Sequence, residues 1–192
     1  LCVEGRHRLY AFCESRGVPY RKCGKLVVAT SEAQLGALAD LRERAIRNGV
    51  ADVVLVDREA ARAMEPAVAC VGAMHSPSSG IVDSHALMLA LLGEAEAAGA
   101  MLAFNAPVES GRVAPHGIEV AVGGDAPMRL LCGTVINAAG LGAQAVARAI
   151  AGVPAETVPP LNYAKGSYFR LAGRSAFSRP GYPMPEPGGL GL

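Results

Sequence analysis

The sequence predicts a mixed fold, α/β (α+β mixed), in which short strands and helices share one chain. Three observations carry this reading. An apolar strand runs into glycines at Val135-Ile136-Asn137-Ala138-Ala139-Gly140-Leu141-Gly142, and a helical pattern from Ala143 to Ile150 follows at once. Short β-branched runs recur between helical segments along the rest of the chain. Hydrophobic residues make up 51% of 192, enough for a sizeable core in one domain or two small ones.

Residues 3–16 place Val3, Leu9, Tyr10, Phe12 and Cys13 among charges, which suits a helix that Gly17-Val18-Pro19 stops. Cys23 to Ala29 reads as a β-branched strand. Thr30 or Ser31 caps the next helix, with Leu35, Leu38, Ala45 and Ile46 on one side and Gly49 at its end. Val53 to Val56 is a second strand, and Asp57 caps a short helix ending near Met64. Residues 70–75 form a third strand, and Ser76 to Gly80 a loop. Asp83 or Ser84 caps an amphipathic helix with Leu87, Leu91 and Ala95 on one face, closed by Gly99. Met101–Val108 is a strand, 112–122 a hairpin around Pro115-His116-Gly117, and 128–137 one or two strands entering the glycine turn. Gly166–Leu171 is a further strand before a Pro/Gly-rich end.

Composition excludes several classes. Eighteen basic against 17 acidic side chains leave no field for nucleic acid. No apolar stretch approaches the length of a membrane span. Five cysteines, an odd number without a C-x-x-C pair, argue against a disulfide framework and a zinc site, so no metal is expected and a reducing, cytoplasmic compartment fits. The spacing Gly140-x-Gly142-x-x-Ala145 matches a dinucleotide fingerprint, yet Val158-Pro159-Pro160 does not read as the strand that should follow, so an NAD(P) site is disfavoured.

Four segments occur in order: Cys23 to Ala29, His75-Ser76-Pro77-Ser78-Ser79-Gly80-Ile81-Val82-Asp83, Asn137-Ala138-Ala139-Gly140, and Lys165-Gly166-Ser167-Tyr168-Phe169 followed by Tyr182 to Gly191. Together they resemble FAD-dependent oxidoreductases of the D-amino-acid oxidase superfamily, and within it the L-2-hydroxyglutarate dehydrogenase/oxidase branch. The resemblance implies a Rossmann-like FAD-binding domain interleaved with a mixed, largely antiparallel-sheet substrate domain. Residues 1–20 and 81–150 would belong to the first, 21–80 and 151–192 to the second. The family's strand-GxGxxG-helix unit is not among these 192 residues. The expectation is that both ends are cut, that the chain is the middle of such an enzyme, and that alone it holds FAD poorly.

The resemblance also implies a chemistry: oxidation of the C2–H of a 2-hydroxy acid, with FAD as cofactor and a quinone or oxygen as electron acceptor, and with peripheral membrane contact left open. An amino acid or glycerol 3-phosphate is the rival substrate, and an inactive truncated chain the non-enzymatic alternative. His75, at a strand end before a loop, is the candidate catalytic base; the alternative is a histidine satisfied by loop backbone. Ser76, Ser79 and Gly80 share that loop and face the substrate or flavin unless it is a plain turn. Asn137, Ala138, Ala139, Gly140 and Gly142 form a turn of small residues for the flavin nucleotide. Val108 would give main-chain hydrogen bonds to the adenine, or be an ordinary core valine. Lys165, Tyr168 and Tyr182 are candidates for the substrate carboxylates, against surface charge and half-buried packing. Residues 186–191 would approach the flavin ring, or form a linker.

Overall fold

The structure is a computed structural model that describes residues 1–185. The elements run α1 (Cys2–Arg16), β1 (Tyr20–Arg21), β2 (Lys25–Ala29), α2 (Leu35–Arg47), β3 (Val54–Asp57), α3 (Arg58–Met64) and β4 (Gly72–Ser76). They continue β5 (Ile81–Val82), α4 (Ser84–Ala97), β6 (Val108–Ala114), β7 (Gly117–Val122) and β8 (Met128–Cys132). The last are α5 (Ala143–Ala149), β9 (Ile150–Ala151) and β10 (Gly181–Pro183). Contacts divide the chain into two compact units, Leu1–Gly99 with Arg170–Leu192, and Ala100–Phe169. This is a division by packing, and it cuts across the segments that the resemblance assigns to cofactor and substrate.

The first unit is built on a mixed four-stranded sheet in the order β10-β2-β4-β3. The pair β2–β4 is antiparallel, with Leu26 opposite His75 and Val27 opposite Met74, while β10 runs parallel to β2 with Tyr182 beside Val27. Because successive side chains alternate faces, Val27, Ala29 and Met74 face α2 and pack with Leu38, Val53 and Met184. Leu26, Val28 and Ala73 face the other way and pack with Ala61 of α3 and Cys70. Burial on both faces explains why Leu26-Val27-Val28-Ala29 is a continuous apolar run.

The helix starts follow from side-chain oxygens that satisfy otherwise orphaned N–H groups. The Asp57 carboxylate accepts the Ala60 N–H at 2.8 Å, and Asp83 accepts those of His85 and Ala86, each at 3.0 Å. The Gln34 side chain accepts the Thr30 N–H at 2.7 Å just before α2. Helix α4 differs from the amphipathic stripe expected of it. None of its residues is buried among the described residues, and Met88, Leu89 and Leu91 are 59%, 62% and 52% exposed. Its apolar side chains are spread around the axis, so no single face can be covered by one neighbour.

The second unit holds a four-stranded sheet in the order β8-β7-β6-β9, antiparallel except for β6–β9. The hairpin turns at Pro115-His116 and pairs Ala114 with Gly117. Three expected strands do not form. The stretch 101–107 is irregular because Asn105 adopts a left-handed φ of 52° and Pro107 has no N–H to offer a ladder. Residues 135–137 turn away at Asn137, whose amide donates to the Ala143 carbonyl at 2.7 Å while its oxygen accepts the Ala139 N–H at 3.3 Å. Residues 166–171 have no described strand alongside to take up their backbone groups, and Tyr168 and Phe169 are 88% and 96% exposed.

Candidate functional site

In the first unit, α1 is fastened to the loop after β4. The Tyr10 hydroxyl donates to the Ser78 carbonyl at 2.9 Å, and the Arg6 guanidinium bonds the Ser78 hydroxyl. The Ser78 N–H donates to Asp52 at 3.1 Å. Gly80 fits here because a Cβ would lie 2.5 Å from the Tyr10 hydroxyl and would also strike the Arg21 carbonyl. Against this corner lies a cleft of about 560 Å³ whose walls include Tyr10, Lys25, Ser79, Gly80 and Tyr182. A second hollow of about 300 Å³ shares Arg6, Lys25 and Ser79 with it and reaches the buried Ser76. The Ser76 and Ser79 hydroxyls are 3.0 Å apart. The Lys25 ammonium lies 5.8 Å from the centre of the Tyr182 ring.

His75 faces the other way. It pairs with Leu26, whereas Ser76 pairs with Lys25, so the imidazole and the Ser76 hydroxyl emerge on opposite faces of the sheet. Its Nε2 is buried with no hydrogen-bond partner among the described residues. Gly24, at φ 73°, leaves room for this ring: a Cβ there would lie 2.6 Å from Nε2. Burial, then the charge of Arg179, pushes the His75 pKa below its ordinary 6.5, with Asp52 opposing, so the ring is neutral at pH 7.

Nearby, the buried Glu65 carboxylate accepts the Ser178 N–H at 3.1 Å, the Ser178 hydroxyl at 2.5 Å and the Arg179 Nε–H at 3.1 Å. Burial works to raise its pKa, but these hydrogen bonds and the Arg179 charge outweigh it and hold the group below the usual carboxylate range. The network ties the segment before β10 to the end of α3, and so sets where Tyr182 lies.

The structure thus brings Ser79, Gly80 and Tyr182 together around one cleft and Ser76 with Ser79 around the hollow beside it, with His75 on the reverse of the same sheet. The remaining sequence candidates lie in the second unit. Val108 begins β6, where a strand end had been expected, and pairs with Val122. Asn137, Ala138, Ala139, Gly140 and Gly142 are all exposed. Gly140 has φ 55°, and nothing lies within 4 Å of where its Cβ would be. Beside this turn the Gln144 Oε1 is buried without a partner among the described residues. The short 3-10 turn Gly140–Gly142 is entered from irregular chain, which lacks the strand that a dinucleotide fingerprint requires. Lys165 and Tyr168 are exposed on irregular chain. The readings for residues 186–191 lie outside the described residues. Among the described residues no group of His, Cys, Asp or Glu is placed to hold a metal ion.

Sequence reasoning missed Lys25, Arg6, Glu65 and Gly24. The one available signal was parity: Lys25 precedes Val27 by two positions and therefore shares its face.

A family profile described as FAD dependent oxidoreductase matches residues 1–191. The chain is 35% identical over 221 residues to a mitochondrial L-2-hydroxyglutarate dehydrogenase of Arabidopsis thaliana, covering 100% of this chain and 46% of that protein. It is 30% identical to an L-2-hydroxyglutarate dehydrogenase of Escherichia coli, covering 97% of this chain and 43% of that protein. It therefore spans less than half the length of these relatives. The fold resembles the crystal structure of glycine oxidase from Geobacillus kaustophilus, with a TM-score of 0.66 and 26% identity over 77% of this chain and 41% of that one. The sequence profile spans residues 1–191 and the fold likeness 77% of the chain, and the chain belongs to the FAD dependent oxidoreductase (DAO) family.

Proposed function

We propose that this chain is part of an FAD-dependent oxidoreductase that oxidises the C2–H of a 2-hydroxy acid, L-2-hydroxyglutarate in particular. The observation that carries this reading is the 35% identity, over the whole chain, to a protein named L-2-hydroxyglutarate dehydrogenase. FAD, when bound, accepts the hydride. The chain's own part is to hold the nucleotide, orient the acid and move the hydroxyl proton.

The turn from Asn137 to Gly142 fits the nucleotide, because the Asn137 amide folds back onto the Ala143 carbonyl, Ala138, Ala139, Gly140 and Gly142 carry little or no side chain, and open space faces Gly140. The orphaned Gln144 Oε1 beside it is an acceptor waiting for a donor. Val108 would offer its main chain to the adenine. Ser79, Gly80 and Tyr182 line the cleft proposed for the acid, Ser76 lines the adjoining hollow, and Lys165 and Tyr168 are the proposed carboxylate contacts of the second unit. His75 is the proposed proton acceptor, since its neutral ring has a free lone pair at pH 7. It lies on the reverse of the sheet from Ser76. The electron acceptor is read as a quinone or oxygen, and the place of action as the cytoplasm or a membrane surface. Among the described residues no helix is long and apolar enough to cross a membrane.

The test is anaerobic reduction of the FAD-loaded protein that carries this chain, followed at the flavin band near roughly 450 nm. L-2-hydroxyglutarate should bleach it, and its D-enantiomer and glycine should not. Bleaching by glycine with no response to the hydroxy acid would overturn the substrate assignment. In the same preparation His75→Gln should lower kcat and remove the acid limb of its pH profile; an unchanged profile would remove His75 from the mechanism.

A further inference from the structure

We propose that Lys25, supported by Arg6, is the cation that holds a carboxylate of the substrate in the cleft between α1 and the sheet of the first unit. The inference rests on the hydroxy-acid reading above and adds a specific anchor to it. Lys25 is half-buried at the start of β2 and lines both hollows, as does Arg6. No aspartate or glutamate is among the residues lining either one. Neither cation makes an ion pair among the described residues: Arg6 bonds the Ser78 hydroxyl and the His7 ring, and the Lys25 ammonium lies 5.8 Å from the centre of the Tyr182 ring. Asp52 accepts the Ser78 N–H and forms no ion pair with either cation among the described residues.

Two partly desolvated cations without a carboxylate partner are costly unless an anion joins them. The chemistry around them suits a carboxylate. Ser79 contributes a hydroxyl that the buried Ser76 holds at 3.0 Å, and Tyr182 a second hydroxyl on the same strand face as Lys25. These are neutral donors suited to one planar, two-oxygen group, with the Lys25 ammonium as its counter-charge. The hollows of about 560 and 300 Å³ leave space for a five-carbon dicarboxylate. The Glu65 network bears on this site from a distance as a positioning device, because it fastens the chain just before Tyr182.

The experiment is calorimetric titration of glutarate, an unreactive dicarboxylate, into the FAD-loaded protein and its Lys25→Met and Lys25→Arg variants. Thermal melts check that each variant is folded. Binding to the parent should weaken by about 10- to 100-fold in Lys25→Met, as for loss of one charge-assisted hydrogen bond, and be largely kept in Lys25→Arg. Arg6→Met should give a smaller loss, and the flavin band should not move in any variant. Equal affinity in the parent and Lys25→Met, or no binding of glutarate to the parent, would overturn the inference. Turnover measured in parallel separates the two claims. If L-2-hydroxyglutarate reduces the flavin equally well in Lys25→Met, with an unchanged KM, the anchor is wrong and the function stands. If glutarate binds through Lys25 but the hydroxy acid reduces nothing, the anchor stands and the reaction is wrong.

Discussion

The two four-stranded sheets of this chain are stabilised in different ways. In the order β10-β2-β4-β3, α2 covers one face and α3 the other, and Leu26 to Ala29 are buried without a break. In the order β8-β7-β6-β9, Val120 and Val122 are the buried hydrophobics of β7, and Met128, Leu130 and Leu131 on β8 are 46%, 45% and 64% exposed. The first sheet is held by burial, the second by its ladders and the turn at Pro115-His116. A strand can therefore form in this chain either because a core demands it or because another strand, near or far in sequence, supplies its hydrogen bonds. Stretches with neither remain irregular.

The sharpest way to break this comparison is to truncate matching positions. Leu26→Ala, at 1% exposure between two covered faces, should cost about 3 kcal/mol. Val120→Ala in the second unit should cost about 1.5 kcal/mol. Hydrogen exchange resolved by segment after each change would check that each loss stays within its own unit. Equal losses would mean the second sheet is as core-dependent as the first. Next in size is Gly24→Ala, which forces a side chain into φ 73° and against the His75 ring, and should cost about 2 kcal/mol by urea titration. Adding His75→Ala should recover the steric part and leave the backbone part.

Glu65→Gln should cost about as much again, about 2 kcal/mol, since it removes the charge of a buried acceptor that takes three hydrogen bonds. The same residues set an acid response. His75 has a folded pKa below 6.5, so the unfolded chain takes up its proton first, and stability is unaffected above pH 6.5 and falls below it. Glu65 has a folded pKa below 4.5, so its contribution is intact above that value and is lost as pH falls through the lower folded one. Melting monitored between pH 7 and 4 should show the first unit weakening below 6.5, before any change in the β6–β7 hairpin. The smallest effect should come from Arg112→Ala. Its bidentate pair with Glu119, at 2.7 and 2.8 Å, lies in open solvent, and its removal should leave the melting temperature unchanged.

Legibility follows the same line between local and distant causes. The caps at Asp57 and Asp83 and the hairpin turn at Pro115-His116 were readable because each is decided within a few residues. Strand β2 was readable because its apolar run is unbroken. The extended stretches at 101–107, 135–137 and 166–171 carry strand-like side chains, but a strand also needs a partner, and no described strand lies beside them. At the candidate site, the loop from Ser76 to Gly80 and Tyr182 were legible as residue types. The proximity of Lys25 to Tyr182 depends on strand register, and the separation of His75 from Ser76 on β4 continuing through Ser76 where a loop was expected. Glu65 could not be singled out, because Ser178 and Arg179 reach it from far along the chain.

The parallel pairing of β10 with β2 has a consequence for how the chain is made. Val27 leaves the ribosome early and Tyr182 late, so β2 waits with one edge unpaired while the whole second unit is synthesised. During that interval its backbone is open to adventitious strands, including the same edge of another nascent copy. Closing so long a loop delays this contact relative to the local pairings of the first unit, even though a three-residue strand is all that finally arrives.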